Sequence, residues 1–327
     1  MIKDDKEKAE ILSDLALSLS LKGDIQAIDA LHKAHATNRY IVPLDPGTLA
    51  LRELSYALTQ IGEYEQAQRV GMLPRSESVK NEILGNLVSV LATRGKYEYA
   101  YKIIPEISSD WFKSFSLCSI SVALAQSENY EQAHALALNI PSLFWKASAL
   151  RTLATELFSN NPIRANSIFE EAEFTITKID DKEKKVRSLQ YLGIDLFKIG
   201  SSQSLNIFDE ACKIALEIEH DLFRTIALSD LAFAFAQTDD YEQAKSTALL
   251  IEDARNTRDS KRALAGIQAK CNRIEEAYQT ALSIEDSITR GLTIVDIVAI
   301  IANQDNYDYA LSIASNIEDL GRKLEAV

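Results

Sequence analysis

Six short segments of this chain end on an alanine, and those alanines fall at 67, 100 and 133, then at 244, 277 and 310, always 33 apart. The segments read Gly62-Glu63-Tyr64-Glu65-Gln66-Ala67, Gly95-Lys96-Tyr97-Glu98-Tyr99-Ala100, Glu128-Asn129-Tyr130-Glu131-Gln132-Ala133, Asp239-Asp240-Tyr241-Glu242-Gln243-Ala244, Asn272 to Ala277, and Asp305-Asn306-Tyr307-Asp308-Tyr309-Ala310. A fixed period of this length marks a supersecondary unit repeated along the chain, because each unit can bury its apolar face only against its neighbours. With the alanine as position 20, that position recurs at Ile28, Ala67, Ala100, Ala133, Asn166, Leu205, Ala244, Ala277 and Ala310. The units run 8–46, 47–79, 80–112, 113–145, 146–184, 185–223, 224–256, 257–289 and 290–322, with 323–327 the stub of a tenth helix. Together they form one repeat domain.

The first half of each unit carries an apolar stripe. Position 4 is Leu12, Leu51, Leu84, Leu117, Leu150, Leu189, Leu228, Lys261 and Ile294. Position 7 is Leu15, Leu54, Leu87, Ile120, Leu153, Leu192, Leu231, Leu264 and Ile297, and position 11 is mostly Leu, Phe or Ile, with Gln268 the departure. Steps of three and four trace one face of an α-helix. Position 8 is small (Ala16, Ser55, Ser121, Ala154, Gly193, Ala232, Ala265), which lets a second helix approach closely. Position 15 is Gly23, Gly62, Gly95, Asn161, Gly200, Asp239, Asn272 or Asp305, residues that tolerate the left-handed conformation ending a helix; Glu128 is the exception. Acids at Glu65, Glu98, Glu131, Glu242, Glu275 and Asp308 suit the N-terminus of a second helix. In units five and six the second helix is expected to be longer, and the turn one residue tighter, with Ala165 and Ser204 in the alanine's role. Tyr97, Tyr99 and Tyr101 alternate as a strand would, but the repeat puts them on a helix.

A cation recurs at position 0: Lys8, Lys80, Lys113, Lys146, Lys185, Arg224, Arg290 and Lys323. A cation in a helix's first turn opposes the dipole. We expect its stem to pack on the core edge and its head to reach the carbonyls that end the preceding second helix.

Leu231-Ala232-Phe233-Ala234-Phe235 with Asp239, Tyr241 and Ala244, and Leu54-Ser55-Tyr56-Ala57-Leu58 with Gly62, Tyr64 and Ala67, resemble the tetratricopeptide repeat. The resemblance spans residues 5 to 322 and departs at position 4, aliphatic here, and in the mixed spacing of 33 and 39. It implies an all-α fold: a right-handed α-solenoid of about nine antiparallel helix pairs. It also implies that partners dock on the concave face lined by positions 5 and 9. Those positions hold Arg52, Arg151, Gln190, Ser229 and Arg262, and Tyr56, Thr155, Ile194 and Phe233. The lysine and asparagine pairing with which some members hold a terminal carboxylate does not occur. The three arginines would suit an acidic segment, with Tyr56 and Phe233 stacking on side chains.

The chain has 46% apolar residues, enough for a continuous core, and a net charge of −13, which repels phosphate backbones and argues against nucleic acid. Cys118, Cys212 and Cys271 are sparse and odd in number, fitting a reducing compartment. The apolar run Leu292 to Ala302 is broken by Asp296 and too short for a membrane span, so a cytoplasmic location is expected. No Gly-x-Gly, Gly-x-Ser-x-Gly or His-Glu-x-x-His occurs. His32 and His35 share a helical face, but two ligands rarely suffice for a metal. Trp111, Phe112, Phe144 and Trp145 read as packing between units. These readings predict a non-catalytic protein-interaction scaffold without cofactor or metal, binding a peptide or protein segment. The alternative is a sensor for a short peptide or small molecule. The terminal residues Leu320, Leu324 and Val327 suggest an apolar end, for self-association or partner docking, or a fragment of a longer protein.

Overall fold

A computed structural model describes Leu15 and residues 46–313, apart from residue 75 and residues 239–240, 251–256, 271–272, 304–306, 309 and 312. The chain divides into two compact units, residues 1–172 and 173–327. In chain order the helices are α1 (Pro46–Ile61), α2 (Tyr64–Gly71), α3 (Glu77–Thr93), α4 (Tyr97–Ile103), α5 (Asp110–Gln126), α6 (Tyr130–Leu138), α7 (Leu143–Phe158) and α8 (Pro162–Thr177). They continue as α9 (Lys182–Lys198), α10 (Gln203–Leu216), α11 (Asp221–Gln237), α12 (Tyr241–Leu249), α13 (Thr257–Lys270), α14 (Ile274–Leu282) and α15 (Ser287–Asn303). No strand occurs among the described residues. Odd-numbered helices are the first helices of the sequence repeat, even-numbered ones the second. The repeat unit 8–46, the end of the last unit, and the terminal stub lie outside the described residues, as do His32, His35 and Cys271.

In the pairs α1–α2, α3–α4, α5–α6, α9–α10, α11–α12 and α13–α14 the first helix packs on its own second helix and on the next first helix, and in all of these but α3–α4 the second helix also leans on the next first helix. That is the packing of an all-α solenoid built from helix pairs. The stripe supplies the core: Leu84, Leu87 and Leu91, Leu150, Leu153 and Leu157, Leu189, Leu192 and Leu196, and Ile294, Ile297 and Ile301 are all buried. The alanines at 67, 100, 133, 244 and 277 are fully buried. Ala165 and Ser204 are buried while Asn166 and Leu205 are exposed, so the turns of these two pairs are one residue tighter. Their second helices are also longer, 16 and 14 residues against 7 to 9 in the others.

Position 8 meets the second helix directly. Ser55 Oγ donates to the Ala67 carbonyl at 3.1 Å and Ser121 Oγ to the Ala133 carbonyl at 2.8 Å. In the longer pair α9–α10 the ring of Phe208 fills this gap, and a Cβ on Gly193 would lie 2.6 Å from it. Gly193→Ala is therefore expected to cost about 1–3 kcal/mol, measured by urea unfolding. Adding Phe208→Leu should restore part of that loss. An undiminished loss in the double variant would show that the ring is not the obstacle.

The turn residues Gly62, Gly95 and Gly200 have φ of 89°, 69° and 75°. Glu128, the exception in sequence, follows the same path with φ of 62°. In these four turns the left-handed conformation holds even where the residue is not a glycine. Asn161 does not adopt it: it is not among the positive-φ residues, and its Oδ1 accepts from the Arg164 N–H at 3.1 Å. Its polar side chain serves as an N-cap to α8 rather than as a left-handed stop. Glu128→Gly should relieve strain and raise stability by about 0.5–1 kcal/mol, visible as a higher melting temperature. An unchanged or lower value would count against the strain.

The cation ladder reaches its carbonyls in the second unit. Lys185 Nζ donates to the Thr177 carbonyl, Arg224 Nη1 to that of Ile218 and Arg290 Nη1 to that of Ile284, each at 2.8 Å. The head thus sits at the negative end of one helix dipole, which offsets its unfavourable place at the positive end of another. Lys80, Lys113 and Lys146 are half-buried in the same place in the first unit.

Candidate functional site

With the stripe, the small positions and the ladder committed to packing, the first-helix face is where the sequence is free to vary. In the second unit, α11, α13 and α15 together form an open groove of about 610 Å³. α11 contributes Leu222, Ile226, Ser229, Asp230 and Phe233, which fall on one helical face by their spacing. α13 contributes Arg262, Gly266 and Lys270, one turn apart, and α15 contributes Asp296, Ala299 and Ile300. Leu222 is 53% exposed and Ile226 41%, so the α11 wall presents aliphatic surface to solvent.

The floor is set by Gly266. A Cβ there would come within 3.1 Å of the Phe233 ring, so the glycine makes room for that ring. Lys270 Nζ lies 4.3 Å from the centroid of the same ring, a cation–π contact. Arg262 donates from Nη2 and Nε to Asp296 Oδ2, at 2.8 and 3.2 Å. A smaller cleft on the other side of α11 is lined by Arg187 and Gln190 of α9 and by Phe223, Ile226 and Asp230. Gln190 Nε2 donates to the Asp230 carbonyl at 3.0 Å, tying α9 to α11. Burial pushes the Asp230 carboxyl above its usual range, and the positive charge of Arg187 works against that shift.

In the first unit, Arg52 and Tyr56 of α1 face α3 across a depression of about 380 Å³, with Thr59, Asn86, Ser89 and Val90 on its walls. Arg52 Nη2 pairs with Glu82 at 2.7 Å, and Tyr56 is half exposed. Arg151 and Thr155 lie on α7, half-buried, and Thr155 Oγ1 bonds the Arg151 carbonyl at 3.0 Å. Arg151 stands close enough to lower the Cys118 thiol, but burial prevails and holds that thiol up at about 11. Burial does the same to Cys212, also to about 11, so neither cysteine is an activated nucleophile.

The structure therefore gathers Ser229, Phe233 and Arg262 in one groove, places Gln190 in the adjoining cleft, and puts Arg52 and Tyr56 in a separate depression of the first unit. Sequence reasoning did not select Asp230, Gly266, Lys270 or Asp296. Asp296 left one trace, as the break in an otherwise apolar run; Gly266 lies at position 9, a lining position where a glycine offers no side chain, and Asp230 and Lys270 lie at positions 6 and 13, where no repeat draws attention to them. Trp111, Phe144 and Trp145 stack across α5 and α7 with centroids 5.0 to 5.7 Å apart, the inter-unit packing that the sequence suggested. His134 Nε2 pairs with Glu171 at 2.8 Å. Among the described residues no group of three or more His, Cys, Asp or Glu side chains is arranged to hold a metal, and no helix is long and apolar enough to cross a membrane.

The helix pairs and their packing define an all-α helical-repeat protein of tetratricopeptide-like architecture. No family model matches the chain, and no curated protein matches it. Among solved structures, the chain is similar to a Rap protein complexed with Competence and Sporulation Factor: 10% identity, 98% of this chain and 99% of that one covered, TM-score 0.38. It is similar also to Ton1535 from Thermococcus onnurineus NA1, at 16% identity with 84% and 97% covered and a TM-score of 0.29. A third is a Signal Transduction ATPase with Numerous Domains carrying a tetratricopeptide repeat sensor, from Pyrococcus horikoshii, at 15% identity and a TM-score of 0.35; this chain spans 64% of its length. Likenesses this loose add nothing to what the helix packing itself gives.

Proposed function

We propose that this chain is a non-catalytic protein-interaction scaffold that receives a peptide or protein segment on its first-helix face, chiefly in the groove of α11, α13 and α15. The observation that carries this reading is the groove itself: exposed Leu222 and Ile226 on one wall, Ile300 on the other, and charged groups at the floor. Apolar walls supply the driving force of association, and the half-buried Phe233 and the exposed Arg262 are of the residue types that dominate binding energy at interfaces. Arg52 and Tyr56 form a second contact point in the first unit. Arg151 and Thr155 belong to the first-helix face of the first unit, and Gln190 to that of the second. Since Arg52 and Arg262 already hold Glu82 and Asp296, an acidic partner segment has to displace those carboxylates, and apolar anchoring carries the larger share.

A sensor for a short peptide or small molecule is the second reading. It is favoured by one fact: a volume of about 610 Å³ falls in the range of ligand pockets.

The test is affinity capture with Phe233→Ala/Arg262→Glu and, separately, Arg52→Glu/Tyr56→Ala. Loss of an aromatic anchor is expected to weaken binding by about 2 kcal/mol or more, enough to remove partners from the captured set with the first variant. A captured set that neither variant alters overturns the groove reading. A small molecule released from the purified protein on denaturation, and absent from the first variant, decides for the sensor.

A further inference from the structure

The groove of α11, α13 and α15 holds four ionic groups, and three of them have a partner. Arg262 and Asp296 are bonded to each other, and Lys270 lies over the Phe233 ring. The fourth, Asp230, is half-buried beside Ile226 and lines both the groove and the adjoining cleft. Among the described residues no side chain or backbone N–H donates to its carboxylate, and no cation stands within ion-pair distance. Arg187 acts on it only as a charge farther off. Its backbone carbonyl is used by Gln190, so Asp230 is fixed in place from the α9 side.

A carboxylate that has lost part of its water and gained no donor is costly to keep, and it is a strong acceptor for whatever cation arrives. Resting on the scaffold reading above, we propose that Asp230 is the acceptor of a cation subsite, and that the bound segment carries a lysine or arginine flanked by apolar side chains. The basic head meets Asp230. Its apolar neighbours meet Leu222 and Ile226 on one side, and Phe233 with Ile300 on the other. The chain's net charge of −13 favours the approach of such a segment. An acidic segment fits less well: it has to take Arg262 from Asp296 while facing Asp230.

The probe is a phage-displayed random peptide library, selected on the whole chain at about 0.15 M salt so that exposed charges are screened. The selected sequence is then synthesised and titrated by calorimetry. Selected peptides should place Lys or Arg next to Leu, Ile or Phe. Asp230→Asn should weaken the synthetic peptide about tenfold, the loss expected for one charge-assisted hydrogen bond. Asp209→Asn, an exposed acid on α10, removes the same charge elsewhere and should leave affinity unchanged. Replacing the peptide's basic residue by norleucine should cost the wild-type chain the same tenfold, which tests the subsite even if a variant fails to fold. Acidic or uncharged selected sequences, or equal binding by Asp230→Asn, overturn the cation subsite and leave the scaffold standing. Failure of the wild-type chain to enrich any peptide overturns both.

Discussion

Everything in this fold depends on how closely the two helices of a pair approach. The contact runs from position 8 on the first helix to position 20 on the second, and it leaves no room for a large side chain on both. Ala232 lies opposite Ala244 and Ala265 opposite Ala277, each with no exposed surface. Serine at position 8 is equally small and adds a bond to the partner helix's backbone, as Ser55 and Ser121 do. Where one side grows, the other shrinks to nothing: Phe208 is fully buried because Gly193 has no Cβ. Close-packed interiors tolerate such trades only when volume is conserved.

The turn and the cation ladder follow from that approach. Two helices held so tightly leave the chain few residues in which to reverse, and the left-handed residue at position 15 accomplishes the reversal. Gly95 N–H bonds the Ala92 carbonyl and Lys96 N–H that of Leu91, so carbonyls at the helix end are satisfied within the turn. Glu128 repeats this with Ala125 and Leu124 in spite of its side chain. The link between successive pairs has no such turn. There the exposed carbonyls of the second helix are met from outside, by Lys185, Arg224 and Arg290 of the next first helix. These three pairs are thus stapled to their neighbours by a group whose place in its own helix is electrostatically poor.

The residues that build the pair were legible because each physical demand recurs at a fixed interval. A small residue, a left-handed residue and a cation read once would be noise; repeated every 33 or 39 residues they fix helices, turns and core. Asn161 was misjudged because Asn satisfies two demands, the left-handed stop and the N-cap, and only geometry separates them. The groove was half legible. Positions 5 and 9 led to Arg262 and Phe233, since a helical face can be counted from the sequence. Asp230 and Lys270 were missed because their importance is relational: it depends on which charges meet across helices, and Asp296 on α15 is 34 residues from the arginine it binds.

α13 is the least regular first helix, and it forms the floor of the groove. The stripe carries Lys261 at position 4 and Gln268 at position 11, where other pairs have aliphatic side chains. Gln268 is buried with its Oε1 unbonded, a loss of stability that a leucine would avoid. Lys261 bonds the Ser283 carbonyl instead of filling the core. Gly266 gives up a side chain and weakens the helix by about 1 kcal/mol relative to alanine. Of these departures Gly266 lines the groove, while Lys261 and Gln268 weaken the core-facing side of the same helix. Rule-breaking positions of this kind concentrate where a protein does something other than fold. Here they fall on the helix that floors the groove, which already holds an ion pair and an unbonded carboxylate. The regular pairs on either side, with α11 and α15 as walls, hold that weaker helix in register.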